Sequence, residues 1–559
     1  MSKSKMMKRI AGIILAGACA FPVACDEGKR GVVEDEKTMN IAIAQAGYGV
    51  NWLREIADKF EALYEEEGYK INILDPQAGL TGATALSELR LGSATGVDMY
   101  FTAAVYPSDI VNEDFGVCAE TLDDVYSKGA INFDGSVDEV TIENKMMDNL
   151  KGYLMAEDGH YYDYYYYVAP CGIVTNTKVL ENYGITELPR TTDELFEVYD
   201  KIYFGTNGKP GSLSSKVYPT TWGGSNAYGY PLQALYTYLC QIMGTEAYEE
   251  FFALDSLLDG NKIDPNGYQI YENEDIRDVM EAWIQQYDIM YSYPGSQGQR
   301  HDDAHAQVMR GLAAFMSDGE FFYNEVKLSF SSALDNITML RQPVLSALGT
   351  KLKLDGTGTD AEKCDDILSY MVGLVDEDKT VEQIASAASA QFGVTVSKEQ
   401  AQRVHDARRV MFKQTQSDTY IVKNSPMKEQ AKLFLRMLAS EDAAKIMSKY
   451  AMGSAYSPAE VLDDDPRFIK SAKEILNSHT HSVSLLTYIG SVRKKTNLYI
   501  LPGYDASIVL KIMSDIGVEK EGVAARNYYK LADSVYKYVK SDAQTNWVKY
   551  MTRGGYVVE

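Results

Sequence analysis

The sequence predicts an α/β fold, and three observations carry that prediction. Short apolar runs of strand length recur along the chain, each followed by a stretch with helical spacing. From Met39 to Phe101 the order is strand, helix, strand, helix, strand, the pattern of a parallel α/β unit. The helical stretches open on capping residues or proline and close on glycine, as real helices do. A chain of 559 residues has room for two or three such domains.

The elements follow in order. Lys3, Lys5, Lys8 and Arg9 form a basic start, and Ile10 to Ala24 is an uncharged run of 15 residues, too short for a membrane span. It ends in "PVAC" with small residues before Cys25, so residues 1–24 read as a lipoprotein signal peptide and Cys25 as the lipid attachment site. Pro22 stands where such signals usually carry Leu, and Cys19 in "LAGAC" is the competing site. Residues 25–38 read as a tether, and no later stretch is long and apolar enough to cross a bilayer.

"MNIAIAQ" reads as the first strand, and Leu53, Ile56, Ala57, Phe60, Leu63 and Tyr64 as one face of the first helix, with Gly68 at its end. "YKINIL" and "VDMYF" are the next strands, with a helix over Ala83 to Leu91 between them. Ligands of parallel sheets bind beyond the carboxyl ends of the strands. That puts "AQAGYGVNW" at a binding edge and makes Tyr48 and Trp52 candidate contacts; packing under the first helix is an equal reading for Trp52.

"GHYYDYYYYVAPCGIVTN" then places six tyrosines in seven positions before a second apolar strand. A tyrosine ring suits a wall that is packed on one side and wet on the other, so the run is either a half-buried strand or the side of a cleft. "TKVLENYGI" is a helix closing at Gly184, and "LPRTTDELFEVYDKIY" enters another through Pro189 and a threonine cap. "TTWGGSNAYGYPLQALYTYLCQIMG" is glycine-rich with Trp222, Tyr228 and Tyr230 interleaved, then helical. "HAQVMRGLAAFMSDGEFFYNE" gives a helix, a break at Gly311, the strand "LAAFM" and a turn at "SDGEFF". "TYIVKNSPMKEQAKLFLRMLASEDAAKIM" gives a strand, then a helix with Ser425 as cap, Pro426 at its first position, and Met427, Ala431, Phe434, Leu435 and Leu438 along one face.

Composition limits the partners. The formal charge of −25 becomes −29 once residues 1–24 are removed, which keeps the chain in solution and disfavours nucleic acid and anionic lipid as partners. Cys118, Cys171, Cys240 and Cys364 are widely spaced, with no C-x-x-C pattern, so their disulfide state stays open. Tyrosine, at 41 residues against 17 Phe and 4 Trp, favours aromatic surfaces that stay wet.

The ordered set "GIVTNTKVLENYGITELPRTTDELFEVYDKI", "GLAAFMSDGEFFYNE" and "KNSPMKEQAKLFLRMLASEDAAKI", behind a lipoprotein signal, resembles the extracellular solute-binding proteins of bacterial ABC importers, family 1. The likeness runs from Met39 to Tyr456. It implies a two-lobe, periplasmic-binding-protein-like (type II) α/β fold with hinge strands, extra C-terminal helices and the ligand clamped between the lobes. The N-lobe would be 39–168 and 419–452, the C-lobe 169–340 and 453–559, and 345–409 a helical insertion of unassigned role. The tyrosine run would then lie at the first crossover, with the alternate rings Tyr165 and Tyr167 facing the ligand.

The resemblance also implies a sugar ligand, probed by aromatic rings on its C–H faces and by polar groups on its hydroxyl rim. Trp222, Tyr228 and Tyr230 are candidate platforms. Phe321 falls where the family commonly carries a stacking Trp, Asp318 and Glu320 are candidate hydroxyl acceptors, and Phe322 is assigned to the core. The implied protein is a monomer that needs no cofactor or metal. It is lipid-anchored at the extracellular face of the bacterial cell membrane, and delivers an oligosaccharide to ABC importer permease subunits. Two alternatives stand beside it: an extracellular carbohydrate-active enzyme, since 79 acidic residues can always offer a catalytic pair, and a binding protein for a non-sugar solute. His301 and His305 are one helical turn apart, but without a third ligand they read as a solvated helix face. "DSLLDGNKIDPNG" lacks the spacing of a calcium loop and reads as a surface hairpin. No phosphate loop, G-x-S-x-G or zinc-protease pattern is present.

Overall fold

A computed structural model describes residues 31–77, 79–102, 105, 107–112, 116–147, 150–156, 158–205, 216–225, 229–414, 417–484, 496 and 527–559. Cys19, Cys25 and Tyr228 lie outside the described residues. The fold is α/β and divides into two compact units. One comprises the described residues within Met1–Tyr167, Gln416–Tyr450 and Ser454–Ser457, the other those within Val168–Thr415, Ala451–Gly453 and Pro458–Glu559.

The chain opens with β1 (Thr38–Ile43), every residue of which is buried, and α1 (Asn51–Leu63), which packs Trp52, Leu53, Ile56, Ala57 and Phe60 inward. The helix stops at Leu63 rather than at Gly68; Gly68, at φ +73°, closes the following turn by donating its N–H to Tyr64 O at 3.1 Å. β2 (Lys70–Ile73), α2 (Gly82–Leu91, capped by Thr81) and β3 (Met99–Thr102) complete the alternation read from the sequence. β4 (Tyr164–Tyr165) stops before Tyr166, and β5 (Tyr167–Asn176) begins in a different sheet.

In the second unit α3 (Thr192–Phe204) starts at a capping box, with Thr191 Oγ1 accepting from Glu194 N and the Glu194 carboxylate accepting from Thr191 N. Such a box stabilises a helix start by about 1 kcal/mol. β6 (Tyr218–Thr220), α4 (Gly229–Met243), α5 (Asp275–Gln286), α6 (His301–Met309), β7 (Ala313–Gly319) and β8 (Ile337–Leu340) follow. The acidic stretch before α5 forms an antiparallel hairpin, Leu258–Asp259 against Lys262–Ile263. Three further helices, α7 (Ala361–Asp376), α8 (Val381–Phe392) and α9 (Lys398–Arg408), each begin at a side-chain cap, Asp360, Thr380 and Ser397. They bury Leu368, Met371, Ile384, Ala401 and Val404 in one cluster with Val344, Leu348 and Leu354.

β9 (Val410–Gln414) stays in the second unit, whereas β10 (Asp418–Ile421), α10 (Lys428–Leu438) and α11 (Glu441–Lys449) belong to the first. α10 starts two residues later than the sequence suggested, but Ser425 Oγ still accepts the Met427 N–H at 2.9 Å, and Met427, Ala431, Phe434, Leu435 and Leu438 are all buried. β11 (Gly453–Ser454), α12 (Arg467–Ser478), β12 (His481–Val483) and α13 (Tyr528–Arg553) close the chain. α13 packs along α5, and its Trp547 Nε1 donates to Asp264 O at 2.8 Å.

The first unit carries a five-stranded sheet of order β2-β1-β3-β10-β4, parallel except for β10, which runs antiparallel to both its neighbours. The second carries a seven-stranded sheet whose path is β6-β7-β5-β9-β12, with β8 and β11 also pairing with β5. β5 is buried along its whole length, which is why its sequence reads as a nearly unbroken apolar run. Cys118, Cys171, Cys240 and Cys364 are all buried.

Candidate functional site

In the first unit the loop after β1 brings Tyr48 to the tyrosine run. Tyr48 is half-buried; its ring meets Tyr167 edge-on at 5.0 Å, and its Oη lies 3.1 Å from Tyr166 Oη. Trp52 is fully buried, stacks on Tyr166 at 5.3 Å and donates Nε1–H to Gly49 O at 3.2 Å. Phe101, on β3, closes the cluster at 5.0 Å from Tyr166. Of the two Trp52 readings, the structure places the indole under the first helix, where it backs the tyrosines.

Tyr165 is elsewhere. It is fully buried and packs edge-on at 6.1 Å against Tyr153, whose hydroxyl donates to Asp418 Oδ2 at 3.5 Å. Strict alternation would put Tyr165 and Tyr167 on one face. The chain instead leaves one sheet at Tyr166 and enters the other at Tyr167, so the period of two is broken there and Tyr166 joins Tyr167 beside Tyr48. Tyr166 carried no separate signal in the sequence. Beneath the run lies Asp163, wholly buried, with Oδ1 accepting from Thr419 N at 3.3 Å. Burial, and after it the neighbouring Asp418 charge, push the Asp163 carboxyl well above the ordinary carboxylate range.

The second unit holds the other candidates. Trp222, a candidate platform on the glycine-rich stretch, is 2 % exposed, sits in the core cluster of this unit and donates Nε1–H to Ser292 Oγ at 3.0 Å. Gly224 follows because its backbone lies so close to that ring that a Cβ would sit 2.6 Å from Trp222 Cζ3. Tyr230, at the start of α4, and Phe321 are each half-buried with rings 6.2 Å apart. Phe322 is fully buried against Phe468 and the His305 ring.

The "SDGEFF" segment is strand through Gly319, not turn from Ser317 onward. Asp318 is therefore fully buried: its Oδ2 meets His305 Nε2 at 2.6 Å and its Oδ1 accepts from Gly319 N at 2.8 Å. His305 does not lie on a solvated helix face; it is 4 % exposed, and its Nδ1 is 3.6 Å from Glu325 Oε2. The burying neighbours Ala304 and Val308 on the same helix were the signal available for it. Burial opposes the charged imidazole, but the Asp318 carboxylate outweighs it and raises the His305 pKa. Burial and the Asp318 charge bring Glu325 up to about 7. Glu320 is 3 % exposed with no hydrogen-bond partner on either carboxylate oxygen, and burial pushes it well above its ordinary value. Among the described residues, no group of three or more His, Cys, Asp or Glu is placed to hold a metal ion.

Each unit thus presents an aromatic group next to buried polar side chains: Tyr48, Tyr166 and Tyr167 over Trp52 in the first, Tyr230 and Phe321 beside Asp318 in the second. The family model of bacterial extracellular solute-binding proteins matches residues 46–445. The chain belongs to that family. No curated protein matches this solute-binding protein by sequence. Among solved structures it is similar to a probable secreted solute-binding lipoprotein from Streptomyces coelicolor, with 14 % identity, 90 % of this chain and 100 % of that one covered, and a TM-score of 0.52. It is similar to the bacterial solute receptor AcbH, reported to prefer β-D-galactopyranose exclusively, with 13 % identity, 91 % and 97 % coverage and a TM-score of 0.51. A chitin oligosaccharide binding protein matches with 12 % identity, 91 % and 98 % coverage and a TM-score of 0.50. At these identities the likeness shows the fold. No helix among the described residues is long and apolar enough to cross a membrane.

Proposed function

We propose that this solute-binding protein captures an oligosaccharide between its two lobes at the extracellular face of a bacterial membrane and delivers it to the permease of an ABC importer. Cys25 carries the lipid that tethers the monomer, residues 25–38 are the tether, and the captured sugar leaves chemically unchanged. One observation carries the reading. Tyr48 follows the carboxyl end of β1, the edge at which parallel sheets bind ligands, and offers a half-buried ring held from behind by Tyr166, Tyr167 and Trp52. A pyranose presents apolar C–H faces to such a ring, and each stacked ring contributes about 1 kcal/mol, so several are needed for micromolar affinity. Tyr230 and Phe321 supply the counterpart in the second unit, and the sugar preferences of AcbH and the chitin oligosaccharide binding protein point to the same class of ligand.

The test is a glycan panel. A binding sugar should raise the melting temperature in proportion to ln(1 + [L]/Kd) and be recovered intact. Recovery of shortened glycans would establish the enzyme alternative, and a chain that responds only to non-sugar solutes would remove the carbohydrate reading. For the anchor, Cys25→Ala should release the protein from membranes or leave it unprocessed; unchanged membrane association would move the attachment to Cys19.

A further inference from the structure

Asp318 and Glu320, the acceptors expected beside the aromatic pair of the second unit, are both buried, at 0 % and 3 % exposed. Glu325 is the acidic group there that stays open. Phe321 leads into a single helical turn, Phe322–Val326, and Glu325 stands one turn beyond it, donating its N–H to Phe321 O at 3.2 Å. Residues four apart in a helix share a face, so Glu325 flanks the Tyr230–Phe321 pair, whose rings are 6.2 Å apart. Its side chain is 29 % exposed. Among the described residues its carboxylate meets the fold through His305 alone, whose Nδ1 lies 3.6 Å from Oε2, too far for a hydrogen bond. Burial first, and then the charges of Asp318 and Glu325, push the Tyr230 hydroxyl well above its ordinary pKa, so both carboxylates act on that platform.

The charged and titratable groups around Glu325 come from three neighbouring elements and its own turn. Asp318 is on β7, His301, Asp302 and His305 are on α6, and Tyr230 is on α4. Lys327, two residues on, turns its ammonium to Asn324 Oδ1 at 2.8 Å. His301 is taken by Asp302, its Nε2 2.7 Å from Oδ1, and burial lowers its pKa. His305 is the cation directed at Glu325. Its Nε2 meets Asp318 Oδ2 at 2.6 Å, and a protonated ring has a second N–H to turn toward Glu325. Burial and the Asp318 charge bring the Glu325 carboxyl up to about 7. Once ionised it is an acceptor with open lone pairs, and charge-assisted hydrogen bonds are about twice as strong as neutral ones. Asp302, Asp318 and Glu325 together repel an anionic ligand.

We propose that Glu325 is the hydroxyl acceptor of the second unit's aromatic surface and that it selects a neutral sugar over a uronic acid, an assignment that rests on the carbohydrate reading above. The sugar found on the glycan panel is titrated by calorimetry at pH 6, 7 and 8 into wild type, Glu325→Gln and Glu325→Asp. A carboxyl titrating at about 7 is about one-tenth ionised at pH 6 and about nine-tenths at pH 8, so wild-type affinity should rise about tenfold across that range. Glu325→Gln should keep the wild-type melting temperature, bind about tenfold more weakly at pH 8 and lose the rise. Glu325→Asp, which keeps the charge, should keep the rise. A loss of packing would instead lower affinity alike at every pH, and the titration of His305 is common to all three proteins. Equal affinity of wild type and Glu325→Gln at pH 8, a rise that persists in Glu325→Gln, or binding confined to uronic acids overturns the assignment while sugar binding stands. Binding of no sugar by wild type at any pH overturns the carbohydrate reading itself, and the assignment with it.

Discussion

Glu320→Gln isolates a carboxyl group that the fold buries with nothing to bond. Glu320 is 3 % exposed and neither oxygen has a hydrogen-bond partner. Pro170, Met452, Ile469 and Leu476 line the space beside it, and Lys473 in the same wall is already held by Asp465 at 2.8 and 2.9 Å. Ionising Glu320 there is opposed first by burial; the Glu320 and Phe321 amides work the other way but do not offset it. The folded state therefore keeps the proton while the unfolded chain loses it near the ordinary value of 4.5. Because the folded pKa is raised, the contribution is full below that value and is lost as pH rises toward the folded pKa. Each pH unit in that window costs about 1.4 kcal/mol. The Gln variant keeps the shape and removes the titration, so its stability relative to wild type should climb by about 1.4 kcal/mol per pH unit. Urea unfolding of both proteins at pH 5, 6 and 7 measures this, other carboxylates cancelling in the difference. A difference that stays flat with pH would mean that Glu320 is ionised in the fold and has a partner.

Trp222→Ala should cost about 3–5 kcal/mol of stability, the loss of a buried indole; a change below about 1 kcal/mol in denaturant unfolding would put the ring at a surface instead. Tyr48→Ala should weaken sugar binding by about 1–3 kcal/mol in calorimetry, and wild-type affinity would remove Tyr48 from the site. His305→Leu leaves Asp318 buried beside no imidazole and should cost about 3–5 kcal/mol. Because the His305 pKa is raised, the wild-type advantage should be full below about pH 6.5 and shrink as pH rises through the folded value, and a pH-independent loss in urea unfolding would count against the ion pair. Tyr167→Phe removes a buried hydroxyl with no partner, so stability should hold or rise by about 1 kcal/mol; a fall would show that the hydroxyl is bonded within the fold.

What the sequence made legible was whatever a local rule controls. β1, α1, β2, α2 and β3 could be read because burial on one face writes a period of two or 3.6 into the residues. The Thr191 box and the glycines at 184 and 311, with φ of +65° and +69°, were legible because caps and left-handed turns accept few residue types. The misreadings share a different cause. Trp222 sits among glycines, which look like a loop, but Gly223 and Gly224 are there because backbone from Gln297 to His301 and the indole itself press against them. Asp318 looked like a turn residue next to Gly319, yet it is the last buried stretch of β7, tolerated there because His305 arrives from α6, 13 positions away. Neither partner is local, so neither could be inferred from spacing.

The tyrosine run belongs to that second class, and its hydroxyls show why the residues are not phenylalanine. Tyr161 Oη donates to Glu143 at 3.0 Å, Tyr162 Oη to Asp158 at 2.8 Å, and Tyr166 Oη meets Tyr48 Oη at 3.1 Å. Each bond ties the segment to its own unit just before the chain passes into the second sheet. A neutral hydrogen bond of this kind contributes about 0.5–1.5 kcal/mol, so phenylalanine would fill the same space and loosen the segment. The rings supply the packing and the hydroxyls fix the register, which is what a strand needs if it must end in one sheet and begin in another one residue later. Tyr164 and Tyr167 are exceptions: the buried Oη of each has no partner within the fold, and the Tyr167 ring meets Tyr48 at 5.0 Å. At these two positions packing explains the ring, and the hydroxyl adds no bond that phenylalanine would lose.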